Sequence, residues 1–292
     1  MLAIDFKTVT PASQRPISLG SEFPDLETFL LARDLERGAE IGKGGTGRVY
    51  EAVHRTLKVK SALKVFDPNP LFVDGDPGRR IKARDRMLRE SRLLAAVRHP
   101  GVVGVRDVAL VSGDPVLVLE YVEGQHLQAF VQQVGTLAEE RAIGLTLGIL
   151  DAVDALHQAG VTHRDISPKN VIVTKSERPV LIDLGLGYRA EIEDRTRLTT
   201  TGPGTPGYWA PELEDEPLTT SPQVDVFSAA AVTHFMLVGR APRRAVLEIP
   251  EVVSPALGAW LRKCLVSDPS KRFATVKEMA AALREAVAPP VP

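Results

Sequence analysis

Between residues 40 and 66, apolar and polar side chains alternate around a cluster of glycines. Val49, Ala52 and Val53 form one apolar set, and Ala62, Leu63, Val65 and Phe66 the next. A period near two predicts three short antiparallel strands. Residues 67–78, with three prolines and two glycines, read as a loop. Over residues 81–97 the apolar positions Met87, Leu88, Leu93, Leu94 and Val97 move to helical spacing among arginines and glutamates, predicting a helix with one buried face. Two further strands are expected at 102–110 and 116–121, and Gly124 ends the strand-rich part. A long, densely apolar helix follows over 137–159, then two small strands at 171–173 and 180–182 and a segment rich in Thr, Gly and Pro over 191–206. Helices are predicted over 224–238, 255–265 and 276–288. The pattern implies an α+β chain: a small antiparallel sheet lobe (36–119), a joint (120–123) and a mostly helical lobe (124–288). Residues 1–35 form an extension of uncertain order, and 289–292 a short Pro-rich tail.

Composition narrows the setting more than the chemistry. The 292 residues are 44% apolar, enough for a sizeable core, and 25% charged with a net charge of −1. Near-neutrality gives no global field for nucleic acid or an anionic membrane. The one cysteine, Cys264, cannot close an internal disulfide and reads as a core thiol in a reducing compartment. No secretory signal is visible near the N-terminus. The longest apolar run, 224–238, is shorter than the roughly 20 residues of a membrane span and contains Asp225, Ser228 and His234. A cytoplasmic location without a membrane span is expected; oligomeric state is left open.

The chemistry begins with Ile41-Gly42-Lys43-Gly44-Gly45-Thr46-Gly47-Arg48-Val49, a G-x-G-x-x-G pattern. Such glycines let backbone N–H groups press against phosphates, although a plain glycine turn has the same composition. In dinucleotide folds a helix follows the pattern, whereas here a strand does. Fifteen residues beyond Val49, Lys64 interrupts an apolar strand, and Glu90 on the next helix is a candidate to hold its ammonium; alone, such a lysine commonly reaches for solvent. Further on comes His163-Arg164-Asp165-Ile166-Ser167-Pro168-Lys169-Asn170, with Asp183-Leu184-Gly185 beginning thirteen residues after Asn170.

Together these motifs resemble the signature set of eukaryotic-type (Hanks-type) serine/threonine protein kinases, with a flavour of bacterial members, over about residues 38–285. The resemblance implies a two-lobed kinase fold that transfers the γ-phosphoryl group of Mg·ATP to protein Ser/Thr hydroxyls, with Mn2+ as an alternative metal. By that resemblance Asp165 would serve the acceptor hydroxyl, Asn170 and Asp183 would hold metal, and Lys64, positioned by Glu90, would meet the phosphates. The glycine loop from Ile41 to Val49 would cover them. Ala62, Val49 and Ile172 would sandwich adenine, Leu119 would gate its pocket, and backbone groups of Glu120 and Val122 would meet its edge. Gly204-Thr205-Pro206-Gly207-Tyr208-Trp209-Ala210-Pro211-Glu212 resembles the end of the activation segment. Glu212 would pair with Arg272, Asp225 would tie down the catalytic loop, and His163 would be structural.

Two departures stand out. Ser167 occupies the place where Ser/Thr kinases carry lysine, and Lys169, two residues on, is the candidate to reach the same phosphate. Leu184 replaces the usual Phe. Arg164 before the catalytic aspartate implies control by phosphorylation, for which Thr199, Thr200 and Thr201 are candidate acceptors. The rival readings are a nucleotide-binding pseudokinase scaffold and a kinase of small hydroxylated molecules.

Overall fold

The computed structural model describes residues 21–44, 47–67, 77–183, 205, 207–216, 219–243, 249–251 and 253–287, without the side chains of Arg86 and Glu90. Among these, a six-stranded sheet runs in the order β1-β5-β6-β4-β3-β2. Its strands are β1 (Glu22–Phe23), β2 (Leu35–Lys43), β3 (Gly47–His54), β4 (Lys60–Phe66), β5 (Val105–Val111) and β6 (Asp114–Glu120). All neighbours are antiparallel except β1, which lies parallel to β5 at the edge.

Side chains on a strand point alternately to the two faces, and β6 shows the consequence. Val116 and Val118 enter an outer core, while Leu117 and Leu119 enter an inner one. On β5 the register slips between Val105 and Asp107, so Val105 and Val108, three apart, both face inward. The inner core includes Met87 and Leu94 of helix α2 (Pro77–Ala96).

The outer core is closed by residues that the sequence pattern leaves without defined order. Asp25 caps helix α1 (Leu26–Ala32) by accepting from the Thr28 N–H at 2.8 Å, and Phe29 is fully buried. Phe23 and Phe29 meet edge to face, Arg33 stacks on both rings, and its Nε reaches Asp107 at 2.5 Å. The apolar triplet 29–31 is too short to show a period, which is why the pattern misses this helix.

The second lobe is helical: α3 (Leu127–Val134), α4 (Glu139–Gln158), α5 (Gln223–Val238), α6 (Pro255–Cys264) and α7 (Val276–Ala286). A small sheet, β7 (Gly124–His126), β8 (Val171–Thr174) and β9 (Pro179–Leu181), lies beside α3 and α4. Helix α5 is buried from Val224 through Leu237, as expected of a helix apolar on nearly every side. Cys264 is buried, and that burial pushes its thiol pKa up. No helix among the described residues is long and apolar enough to cross a membrane.

The lobes are joined covalently by residues 121–123, between β6 and β7. Backbone bonds add a second link: Val103 N–H donates to Leu181 O and Leu181 N–H to Gly101 O, both at 2.8 Å. Gly101 is needed there, since an added Cβ would lie 2.9 Å from Cβ of Ala152.

Candidate active site

The floor of the interlobe cleft is set by one buried carboxylate. Asp225, in the first turn of α5, accepts the backbone N–H groups of His163 and Arg164, each at 2.8 Å, and His157 Nε2 lies 2.7 Å from it. Burial alone would raise the Asp225 pKa. The hydrogen bond from His157 and the charge of that imidazole outweigh burial and hold the carboxyl below its ordinary range. An ionised carboxylate only accepts, so His157 donates from Nε2. The anchor keeps Arg164 at φ +65°, a left-handed conformation uncommon for a side chain of its size.

That turn presents Asp165. Its N–H donates to His163 Nδ1 at 3.3 Å, placing the proton of a neutral His163 on Nε2, and burial pushes the His163 pKa down. His163 is fully buried. Asn170 Nδ2 donates to the main-chain oxygen of Asp165 at 2.8 Å and to its Oδ2 at 3.0 Å, while Thr205 N–H approaches Oδ1 at 3.4 Å. Asp183 follows β9, and its Oδ1 meets Lys64 Nζ at 2.9 Å. Lys64 is buried on β4 between its register partners Val49 and Leu117, so the strand aims a charged head at the cleft.

Ser167 is fully buried, and its Oγ accepts from Thr205 Oγ1 at 3.2 Å. Lys169, by contrast, is exposed and lines the cleft. His126 Nδ1 lies 2.7 Å from the Lys169 carbonyl and must donate to it, and Gln128 N–H donates to the Pro168 carbonyl at 3.0 Å. These bonds fasten the loop to the start of α3.

The cleft holds about 830 Å³. Ile41, Gly42, Lys43, Gly44, Gly47, Val49 and Ala62 roof it, Lys64 and Leu119 close its back, Glu120 and Val122 form one edge, and Ile172, Asp165, Lys169, Asn170 and Asp183 form its floor. Gly47 permits the roof to lie close, because a Cβ there would sit 2.2 Å from the Val65 carbonyl oxygen. Gly45, Thr46, Leu184, Gly185, Thr199, Thr200, Thr201, Gly204, Pro206 and the side chain of Glu90 lie outside the described residues; Glu90 itself belongs to α2.

Sequence reading passed over Val103, Tyr121, His126, Gln128, Ala129 and Gln132, which also line the cleft. The available signal was the i, i+4 pair Leu127 and Val131, which marks the short α3 just after the joint. Away from the cleft, Arg272 grips Glu212 with two bonds of 2.7 and 2.9 Å, the pairing the resemblance implied.

Comparison with known proteins agrees with this geometry. The chain is 31% identical over 271 residues to serine/threonine-protein kinase PknH of Mycobacterium bovis, covering 86% of this chain and 43% of that protein. It is 30% identical over 271 residues to PknD of Mycobacterium tuberculosis, with 85% and 39% covered, and 29% identical over 268 residues to PknE of the same species, with 85% and 45% covered. The chain thus spans less than half the length of these curated relatives. The sequence model of the protein kinase domain matches residues 35–283. With that match over a cleft of this construction, the chain belongs to the protein kinase domain family.

Proposed function

We propose that this chain transfers the γ-phosphoryl group of Mg·ATP to serine or threonine hydroxyls of protein substrates in the cytoplasm. The observation that carries the reading is the convergence of Lys64, Asp165, Asn170 and Asp183 in a cleft that is also lined by residues 120–122 of the joint between the lobes. In this reading the edge receives adenine between Val49, Ala62 and Ile172, and the glycine-bearing roof lies over the phosphates. Lys64 shifts its ammonium from Asp183 toward the phosphates, with Glu90 as its partner on α2. Asp165, steadied by the Asn170 amide, orients the acceptor hydroxyl and takes its proton, an effect on the order of 10² to 10⁴-fold.

The donor set fits a hard divalent cation. Asn170 spends its amide nitrogen on Asp165, which leaves its oxygen, in the cleft that Asp183 also lines, as an oxygen ligand. No cluster of three or more acidic, His or Cys ligands exists among the described residues. That suits Mg2+, which takes one or two carboxylates together with substrate phosphates, and Mn2+ accepts the same oxygens. When bound, the cation neutralises phosphate charge. Lys169, on the cleft surface where Ser167 is buried, supplies the cationic contact to the transferred phosphate. Arg164, buried and with Nε lacking a hydrogen-bond partner among the described residues, is a seat for an anion, supporting autophosphorylation at Thr199, Thr200 or Thr201.

The test is transfer of labelled γ-phosphate to the protein itself and to two generic acceptor proteins, one acidic and one basic, with phosphoamino-acid analysis. Label on Ser or Thr that vanishes in Asp165→Ala and Lys64→Met is expected. ATP binding without transfer under any metal would replace this reading with a pseudokinase scaffold.

A further inference from the structure

We infer that the acceptor side of the cleft selects protein segments bearing carboxylates beside the hydroxyl and disfavours basic ones; this deepens the kinase reading and rests on it. Beyond Asp165 the cleft wall is built by β7, α3 and the catalytic loop, through His126, Gln128, Gln132 and Lys169. Gln128 and Gln132 stand one helical turn apart and share a face, while Leu127 and Val131 anchor α3 in the core. The bonds from His126 to the Lys169 carbonyl and from Gln128 to Pro168 make wall and loop one piece.

The described carboxylates of the cleft are engaged elsewhere. Asp183 meets Lys64, Asp165 accepts from Asn170 and Thr205, and Glu120, at the end of β6, belongs to the edge of the cleft formed with Val122 and not to this wall. A guanidinium brought in beside the acceptor hydroxyl would meet two amides, an imidazole and the like charge of Lys169. It would lose hydration without gaining a carboxylate from the described wall. A carboxylate in the same place meets amide N–H donors and a cation. The wall therefore fits an acidic segment.

The test uses the full chain and three peptides identical except for Glu, Gln or Arg on both sides of a single Thr. Expected is a kcat/KM order of Glu, Gln, Arg, with about a tenfold span, the sum of a few exposed charge contacts. Gln132 is exposed, so Gln132→Glu adds a negative charge that offsets Lys169 without touching the core and should bring the Glu-to-Arg ratio to about one or below. Equal or better use of the Arg peptide by wild type overturns the inference. The same peptides with Ala for Thr, measured by fluorescence anisotropy, read the preference without transfer. Binding in the order Glu, Gln, Arg with no transfer to any peptide would remove the kinase reading and keep the charge selection; transfer with no order among the peptides would do the reverse.

Discussion

Asp225 concentrates more of the site's geometry than any residue that touches the cleft. It satisfies two buried backbone N–H groups and orients His157, and it holds Arg164 in a left-handed turn. Replacing it with Ala orphans those donors together. Asp225→Ala is expected to cost about 3–5 kcal/mol by urea unfolding, and to abolish transfer in whatever protein remains folded; a cost under about 1 kcal/mol would mean that the turn is held by something else. Acidification probes the same neighbourhood. Burial depresses the pKa of His163 and of His234, and the Asp225 carboxyl is depressed by His157 despite burial. For each, the unfolded chain binds more protons than the folded one below the ordinary value, so stability is complete above it and lost as pH falls. The Tm should be level from pH 8 to 7, decline from about 6.5 as the histidines titrate in the unfolded state, and decline further below about 4 through Asp225; an unchanged Tm between pH 7.5 and 5.5 would contradict it. That Asp165, Asn170 and Asp183 would share one cleft was legible in the sequence through the motifs that carry the family resemblance. His126 was not, since its contact is to a carbonyl 43 residues away, and no local spacing encodes that.

Among the elements, those with a long enough period were readable. Strands β3, β4 and β6 show alternation and α4 and α5 dense helical burial, whereas β1 and α1 are too brief for a period and α3 offers a single i, i+4 pair; these three exist because a tertiary partner is waiting. Close approaches between elements also escape the sequence, and they separate glycines that look alike. Gly47 lies so near the β4 backbone that Ala must push β3 and β4 apart, while a Cβ on Gly42 would meet Val49 Cβ only at 3.9 Å. Gly47→Ala should therefore destabilise the ligand-free protein by about 1–3 kcal/mol and Gly42→Ala by much less, read as shifts in urea midpoint. Equal effects would show that β3 adapts freely. The joint between the 3-10 turn Pro211–Leu213 and the late loop rests on Arg272. Its guanidinium forks onto Glu212, donates to the carbonyls of Val266, Ser267 and Gln223, and lies over Phe227. Lysine has the charge but neither the plane nor the number of donors. Arg272→Lys should cost about 3 kcal/mol in the same measurement, close to the loss from removing the charge entirely.

At the scale of the whole molecule the described residues form two cores: a large one running from the inner face of the sheet through the helices, and a small one on the sheet's outer face, closed by β1 and α1. The interlobe cleft borders the first. The second lies across the sheet from it, under Phe29, Leu30 and Leu63, and ties residues 21–34 to β5 through Ser112 Oγ, which donates to Pro24 O at 2.6 Å, and the Arg33–Asp107 pair. A parallel strand beside β5 could not be foreseen from a two-residue segment, so the sequence placed this region outside the working domain. Burial of Phe29 argues that it stabilises the small lobe. Phe29→Ala should lower stability by about 3–5 kcal/mol, while ATP affinity, measured calorimetrically at a temperature where the variant is still folded, stays within about twofold of wild type because no cleft residue loses a contact. If affinity falls with little loss of stability, the outer core does more than hold the lobe together: the position of α1 would then be transmitted through β4, whose Leu63 faces Phe29's core while its neighbour Lys64 faces the cleft.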